Sequence, residues 1–328
     1  MSRNEKIMRI LRASSALLIA LFATTGSMVD AQTMPKSIKI VVPFSAGGSN
    51  DVIARAIAGP LAKRLDVPVI VENKAGAAGV VGSDAVAKSP RDGSVLLLTS
   101  SSLLTAAATQ TQLPYDPIAA FAPVAMVGRG PMLLAVSADA PFKTPADVIT
   151  AARAKPTAIN YGTAGVGSIA HLTTELFDDA AGIRMTHVPY KGAANAAVDL
   201  AAGRIQVMIS NYSTVAPLIK AGKIKALAVT SRSQQPAFPD LPPMASTAPN
   251  FGVDIWVGVF APAGTPASTV DRLNQEINAI AASPELAAVL EPDGTVAEAI
   301  LPAAFAAHIK DESAQWKKIA AEHKIVAE

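Results

Sequence analysis

Gly47 and Gly48 stand between an apolar run, Ile38 to Val42, and an amphipathic run, Val52 to Leu65, within the stretch Val41-Val42-Pro43-Phe44-Ser45-Ala46-Gly47-Gly48-Ser49-Asn50-Asp51. A small-residue loop at a strand-to-helix junction exposes the unpaired N–H groups of the helix start at the positive end of its dipole, and glycine lets a ligand approach bare backbone. The chemistry on offer is capture of an anion by main-chain amides. Asp51 would repel such a ligand, so it is expected to cap the helix by accepting a backbone N–H from within the first turn. One such turn is a weak pointer, and its meaning depends on whether other loops join it.

Other loops do repeat the arrangement. A strand Val67 to Val71 runs into Glu72-Asn73-Lys74-Ala75-Gly76-Ala77-Ala78-Gly79 and a helix Val80 to Lys88, and a strand Val95 to Thr99 ends in Ser100-Ser101-Ser102. In open α/β sheets ligands bind beyond the carboxyl ends of the strands, so these three loops are expected to face one crevice. A second set begins with the strand Leu133 to Val136 and a helix start at Thr144-Pro145. Ile159 to Tyr161 leads into Gly162-Thr163-Ala164-Gly165-Val166-Gly167-Ser168 and the helix Ile169 to Ala181; Met185 to Val188 leads into Pro189-Tyr190-Lys191-Gly192; Val207 to Ile209 leads into Ser210-Asn211-Tyr212-Ser213. Lys191 reads as a solvated loop lysine.

After a strand Ala226 to Val229, the proline-rich segment Pro236 to Pro249 reads as a surface connection, and Ile255 to Phe260 resumes as a strand. Val270, Leu273, Ile277 and Ile280 share one face of a helix capped at Thr265-Pro266; Phe305, Ile309, Trp316 and Ile319 share a face of a last helix from about Pro302. Trp256 and Trp316 are read as core. A chain that leaves one half near Val136 and returns near Ile255 predicts an α/β protein of two lobes with mixed sheets, joined by two crossovers around a hinged ligand cleft. The expected lobes are residues 32–135 with 256–328, and 136–255.

Composition narrows the function. Arg3, Lys6, Arg9 and Arg12 precede an apolar core, Ala16 to Ala23, and Val29-Asp30-Ala31 offers a cleavage point, so residues 1–31 read as an export signal. Without them basic and acidic residues are equal in number, which gives no support for a nucleic-acid surface. The chain has no cysteine, so no disulfide or thiolate chemistry is available, and His171, His187, His308 and His323 show no metal-ligand spacing. No cofactor or metal is expected. Gly165-Val166-Gly167-Ser168-Ile169-Ala170 fits a dinucleotide fingerprint, yet Val188-Pro189 stands where the ribose-binding acid belongs. A Walker A loop, a G-x-S-x-G elbow and a convincing Ser/His/Asp set are absent from the sequence, so the chain reads as a capture protein, not an enzyme.

Several motifs together resemble a known family. They are Val42-Pro43-Phe44 through Gly47-Gly48 to Asp51; Val71-Glu72-Asn73-Lys74 with Gly76 and Gly79; Tyr115-Asp116-Pro117 with Phe121 and Pro123-Val124; Asn160-Tyr161-Gly162 through Gly165 and Gly167-Ser168 to His171-Leu172; Val188-Pro189-Tyr190-Lys191-Gly192; and Trp256 with Gly258, Ala261-Pro262 and Gly264-Thr265-Pro266. In this order they resemble the extracytoplasmic solute receptors of tripartite tricarboxylate transporters, the Bug family. The resemblance implies a type II-like, two-lobed periplasmic binding protein, a monomer that closes on a small carboxylate (a di- or tricarboxylate, an acidic amino acid or an aromatic acid) and delivers it to membrane permease subunits. It implies ligand contacts at Phe44, Ser45, Ala46, Gly47, Gly48 and Asp51, at Gly76, Ala77 and Ala78, at Ser100 and Ser101, and at Thr163, Gly165, Ser168 and Asn211. Asn211 departs from the family, which often carries an acid in Ser210-Asn211, and this relaxes any demand for an amine on the ligand. Service to a membrane sensor instead of a transporter would use the same cleft.

Overall fold

A computed structural model of the chain describes residues 34–326 other than 111 and 323. The expected signal segment and His323 lie outside the described residues. Two mixed sheets organise the rest. The first contains β1 (Ile38–Val42), β2 (Val69–Asn73), β3 (Val95–Ser100), β4 (Phe121–Gly130), β10 (Ile255–Pro262) and the two-residue β11 (Val296–Ala297), in the order β11-β4-β10-β3-β1-β2. The second contains β5 (Leu133–Ser137), β6 (Asn160–Thr163), β7 (Thr186–Pro189), β8 (Val207–Ser210) and β9 (Ile224–Val229), in the order β7-β6-β8-β5-β9. Each sheet has parallel strands at one side and is entered by a single antiparallel strand from the crossover: β10 beside β3, and β5 beside β8. The short step Gly130 to Leu133 and the longer path Val229 to Ile255 carry the chain between the sheets, which is the two-lobed architecture.

The helices follow from local sequence. They are α1 (Ser49–Leu65), α2 (Val80–Ala87), α3 (Ser102–Thr109), α4 (Pro145–Ala154), α5 (Ile169–Ala181), α6 (Ala193–Ala201), α7 (Tyr212–Lys220), α8 (Ala267–Ala281), α9 (Pro284–Leu290) and α10 (Pro302–Glu322). Helix α4 starts with a reciprocal cap between Thr144 and Asp147 with Pro145 in the first turn. Strand β1 is apolar on both faces because helices cover both, and its one polar side chain, Lys39, pairs with Glu72 of β2 at 2.7 Å. Trp256 and Trp316 are buried, at 1% and 6% exposure, and their indoles both donate to Glu312 of α10. Both belong to the core, as expected.

The boundaries differ from the sequence reading in physically instructive places. Helix α1 begins at Ser49, so Ser49, Asn50 and Asp51 form its first turn instead of the loop before it. Strand β2 begins at Val69, because Asp66 closes α1 in the left-handed region (φ 54°) and the Val67 N–H still bonds back to Ala62 at 3.2 Å. Strand β4 escapes the sequence reading through Pro123 and its glycines. Pro123 is tolerated because it sits opposite Phe260, where the β4–β10 register shifts. Helix α3 has no amphipathic stripe to betray it, since six of its eight residues are buried. Among the described residues, no helix is long and apolar enough to cross a membrane.

Candidate functional site

Five helices aim their first turns at one cavity between the two sheets. From the first lobe come Gly48, Ser49, Asn50 and Asp51 at the start of α1 and Ser102 at the start of α3; Phe44, Ser45 and Ser100 complete that wall. From the second lobe come Ser168, Ile169 and Ala170 of α5, Ala193 of α6, and Asn211 and Thr214 of α7. Met132, Ala164, Ile209 and Ser210 fill the remainder. The cavity offers about 60 Å³ to the centres of water molecules, room for on the order of five. Each helix start contributes roughly half a positive charge. The cavity is therefore electropositive without a lysine or arginine among the described residues that line it.

Its one charged side chain is neutralised locally. Asp51 accepts from the Gly47 N–H at 2.9 Å, from Asn73 Nδ2 at 2.9 Å and from Arg55 Nε at 3.1 Å. Burial pushes its pKa up, but the hydrogen bonds from Arg55, Gly47 and Asn73 and the charge of Arg55 outweigh burial and leave it lowered. The acceptor thus bonds the residue before the cap, Gly48, instead of the first turn that the sequence reading assigned. Asn73 also donates to the Phe44 carbonyl at 3.1 Å, so Asp51, Arg55 and Asn73 together tie the loop down onto β2. Gly47 needs its freedom here, with φ at +83°.

The two walls also bond to each other. Ser102 Oγ accepts the Ile169 N–H at 3.1 Å, so a first-lobe hydroxyl caps a second-lobe helix. In return Thr214 Oγ1 accepts the Ser49 N–H at 3.1 Å. Asp293, buried between the lobes, accepts from Ser49 Oγ at 3.2 Å and from Ser213 Oγ at 2.8 Å, and the Ser213 N–H donates to it as well. Burial raises its pKa, only partly offset by these bonds. Sequence reading gives no signal for Asp293, which lies in a one-turn helix far along the chain.

Of the residues that the family resemblance implied, Phe44, Ser45, Gly48, Asp51, Ser100, Ser168 and Asn211 line the cavity together. The others do not line it. Ser101 is fully buried, and its Oγ accepts the Trp256 N–H at 3.3 Å. Gly76 and Ala77 form the turn before α2, and Ala78 lies at the meeting of the lobes, where a Cβ on Gly165 would reach its nitrogen at 3.2 Å. Gly47 faces Ala194, and Ala46 lies in the same loop. Thr163 supports Gly165 from behind, its Oγ1 accepting the Gly165 N–H at 3.2 Å. Lys191 is exposed, as expected.

A family model for the tripartite tricarboxylate transporter family receptor matches residues 53–325. The chain belongs to this receptor family. Among its relatives, protein BugT of Bordetella pertussis is 35% identical over 312 residues, 93% of this chain and 96% of its own. The structure of Rpa4515 from R. palustris, with adipate, superposes with a TM-score of 0.85 at 34% identity, covering 88% of this chain and 98% of that one. MatC of Rhodopseudomonas palustris, with bound malate, gives 0.82 at 28% identity over 86% and 98%. Two of these relatives are thus seen with a small dicarboxylate.

Proposed function

We propose that this receptor is exported to the periplasm, binds a small carboxylate, of the size of a four- to six-carbon dicarboxylate, between residues 32–135 with 256–328 and residues 136–255, and presents it to the permease subunits of a tripartite transporter. The observation that carries the reading is the convergence of five helix N-termini on a cavity whose only charged side chain, Asp51, is paired with Arg55. Malate and adipate in related structures support a dicarboxylate. A carboxylate receives charge-assisted hydrogen bonds of about 1.5 to 3 kcal/mol each from such amides and hydroxyls, about 6 to 12 kcal/mol for two at each lobe before the cost of ordering is subtracted.

The test is a thermal-shift screen of malate, adipate and related acids against their neutral amide and alcohol analogues. Carboxylates at a hundredfold excess over Kd should stabilise the protein by about 2.7 kcal/mol. Stabilisation by neutral analogues, with none by any carboxylate, refutes the anion reading. Loss of uptake on deleting the gene tests the transporter assignment; intact uptake with lost induction would assign the cleft to a sensor.

A further inference from the structure

Behind the second-lobe loop, residues 163–168, two histidines lie face to face. The rings of His171 on α5 and His187 on β7 are 4.0 Å apart and 13° from parallel, and Tyr161 of β6 stacks on His187 at 5.0 Å. His171 Nδ1 accepts the Gly167 N–H at 3.1 Å. His187 Nε2 lies 2.6 Å from Thr163 Oγ1, the hydroxyl that holds the Gly165 N–H. Each histidine therefore reaches a different point of one loop, and that loop faces the first lobe: a Cβ on Gly167 would strike Thr109 Oγ1 of α3 at 2.4 Å. At the end of the loop, the Ile169 N–H crosses to Ser102.

We propose that His171 is a positioning residue for the binding loop. Its neutral ring holds the Gly167 amide and, with His187 and Thr163, sets the face that meets the first lobe, so that protonation of the pair frees the loop and weakens ligand capture. The inference rests on the carboxylate-receptor reading only for that last consequence. An acceptor nitrogen that gains a proton becomes a donor facing a donor, and two imidazolium rings at 4.0 Å repel, so a proton on His171 Nδ1 breaks its bond to the Gly167 amide and a second proton on His187 adds repulsion. The groups facing the pair are few. On α5, Glu175 lies 3.9 Å from His171 Nε2 and accepts from the Tyr161 hydroxyl; Asp178 is spent on the Met185 N–H at 2.7 Å, with Arg184 near it. Burial lowers the pKa of His171 against the pull of Glu175, and burial followed by the neighbouring His171 lowers that of His187 to about 3.

The sign follows. In the engaged loop the rings resist protons that they accept freely once the loop lifts and water enters, so engagement is complete above the ordinary histidine value of 6.5 and is lost progressively as pH falls below it. The expected loss is up to about tenfold per pH unit for each ring that titrates. Asp178 has the opposite sign, since burial raises its pKa to about 7, but its carboxylate accepts the Met185 N–H and makes no hydrogen bond to the loop.

Hydrogen exchange of the peptide covering 162–170, corrected for intrinsic rates, is to be measured without ligand from pH 7.5 to 5.0 in the wild type, His171→Asn and His171→Leu. The wild type should lose protection below pH 6.5. His171→Asn keeps an acceptor without a titrating ring and should lose less, while His171→Leu should be unprotected at every pH. Flat wild-type protection, or wild-type protection in His171→Leu, overturns the proposal. If His171→Leu does not fold, the slopes of the wild type and His171→Asn decide between the same outcomes. Malate and adipate titrations at pH 7.5 and 5.5 read the consequence separately: a pH-dependent loop with no binding of either acid leaves the positioning role standing and counts against the carboxylate reading.

Discussion

Ser102 and Thr214 each lend a hydroxyl to a helix of the opposite lobe, at 3.1 Å in both cases. Replacing them by Ser102→Ala and Thr214→Val leaves the Ile169 and Ser49 N–H groups buried without an acceptor while the lobes are together. In an opened molecule the same groups bond to water, so the cost falls on closure and not on folding. An orphaned buried donor costs about 1 to 3 kcal/mol, a shift of roughly 5- to 150-fold in the ratio of closed to open molecules. The two bonds share no partner, so the costs should add in the double variant. The chain has no cysteine, so Lys63→Cys and Lys155→Cys place two dyes at exposed sites, one on each lobe. Energy transfer should shift toward the open distance in each variant and further in the double, and unfolding should lose no more free energy than closure does. Unaltered transfer in the double variant would refute the idea that these hydroxyls hold the lobes together.

Gly192→Ala should act in the same direction by sterics. Gly192 has extended backbone that any residue adopts, yet its Cβ would lie 2.8 Å from the Ser45 Cβ of the other lobe, so energy transfer should report opening while stability to urea falls by no more than the closure lost. Asp51→Ala removes the acceptor shared by Gly47, Asn73 and Arg55 and should cost about 1.5 to 3 kcal/mol in urea at pH 7. Because the Asp51 pKa is lowered, this stabilisation is present above the ordinary value of 3.8 and is lost as pH falls through the folded value, so the variant and wild type should converge in acid. Asp293 has the reverse sign. Its raised pKa means that the native state holds a proton the unfolded chain has released, so wild-type stability should fall as pH rises from 3.8 through the raised value, and Asp293→Asn should flatten that part of the curve.

The sequence shows the fold most clearly where the chain is locally consistent. The parallel strand β1 is an apolar run interrupted only by Lys39, and the helix starts at Ser168 and Thr144 carry their own caps. Reading the ligand loops as one crevice follows from the strand-end rule, and Ser45, Gly48, Ser100, Ser168 and Asn211 do meet there. Contacts made only by tertiary approach leave no such trace. Nothing in the spacing of His171 and His187 shows that parallel pairing of β6 and β7, with α5 laid across them, brings their rings together. Asp293 and Thr214 are equally silent, because the contacts that join the lobes, Asp293 to Ser213 and Thr214 to Ser49, are made across the chain. Glycine-rich loops likewise signal close approach without saying to what. Gly76 and Gly165, ligand contacts by the family resemblance, lie outside the cavity lining, where a Cβ on the one would meet Val81 and on the other Ala78.

The absence of a basic side chain from the cavity lining is consistent with capture of an anion once the hydrogen bonds across the cleft are considered. The Ser49 and Ile169 amides, which carry the positive ends of α1 and α5, are satisfied by neutral hydroxyls while the lobes meet. A ligand entering the cleft competes with those hydroxyls. A neutral ligand would replace one ordinary hydrogen bond by another and gain little, whereas a carboxylate adds its charge to five helix dipoles and turns ordinary bonds into charge-assisted ones. The displaced hydroxyls of Ser102 and Thr214 can then rotate and donate to the same oxygens. An arginine would bind an anion in the open lobe as readily as in the closed one; under the proposed function, amides and hydroxyls drawn from both lobes would bind it fully only when the lobes meet, and so would couple capture to closure.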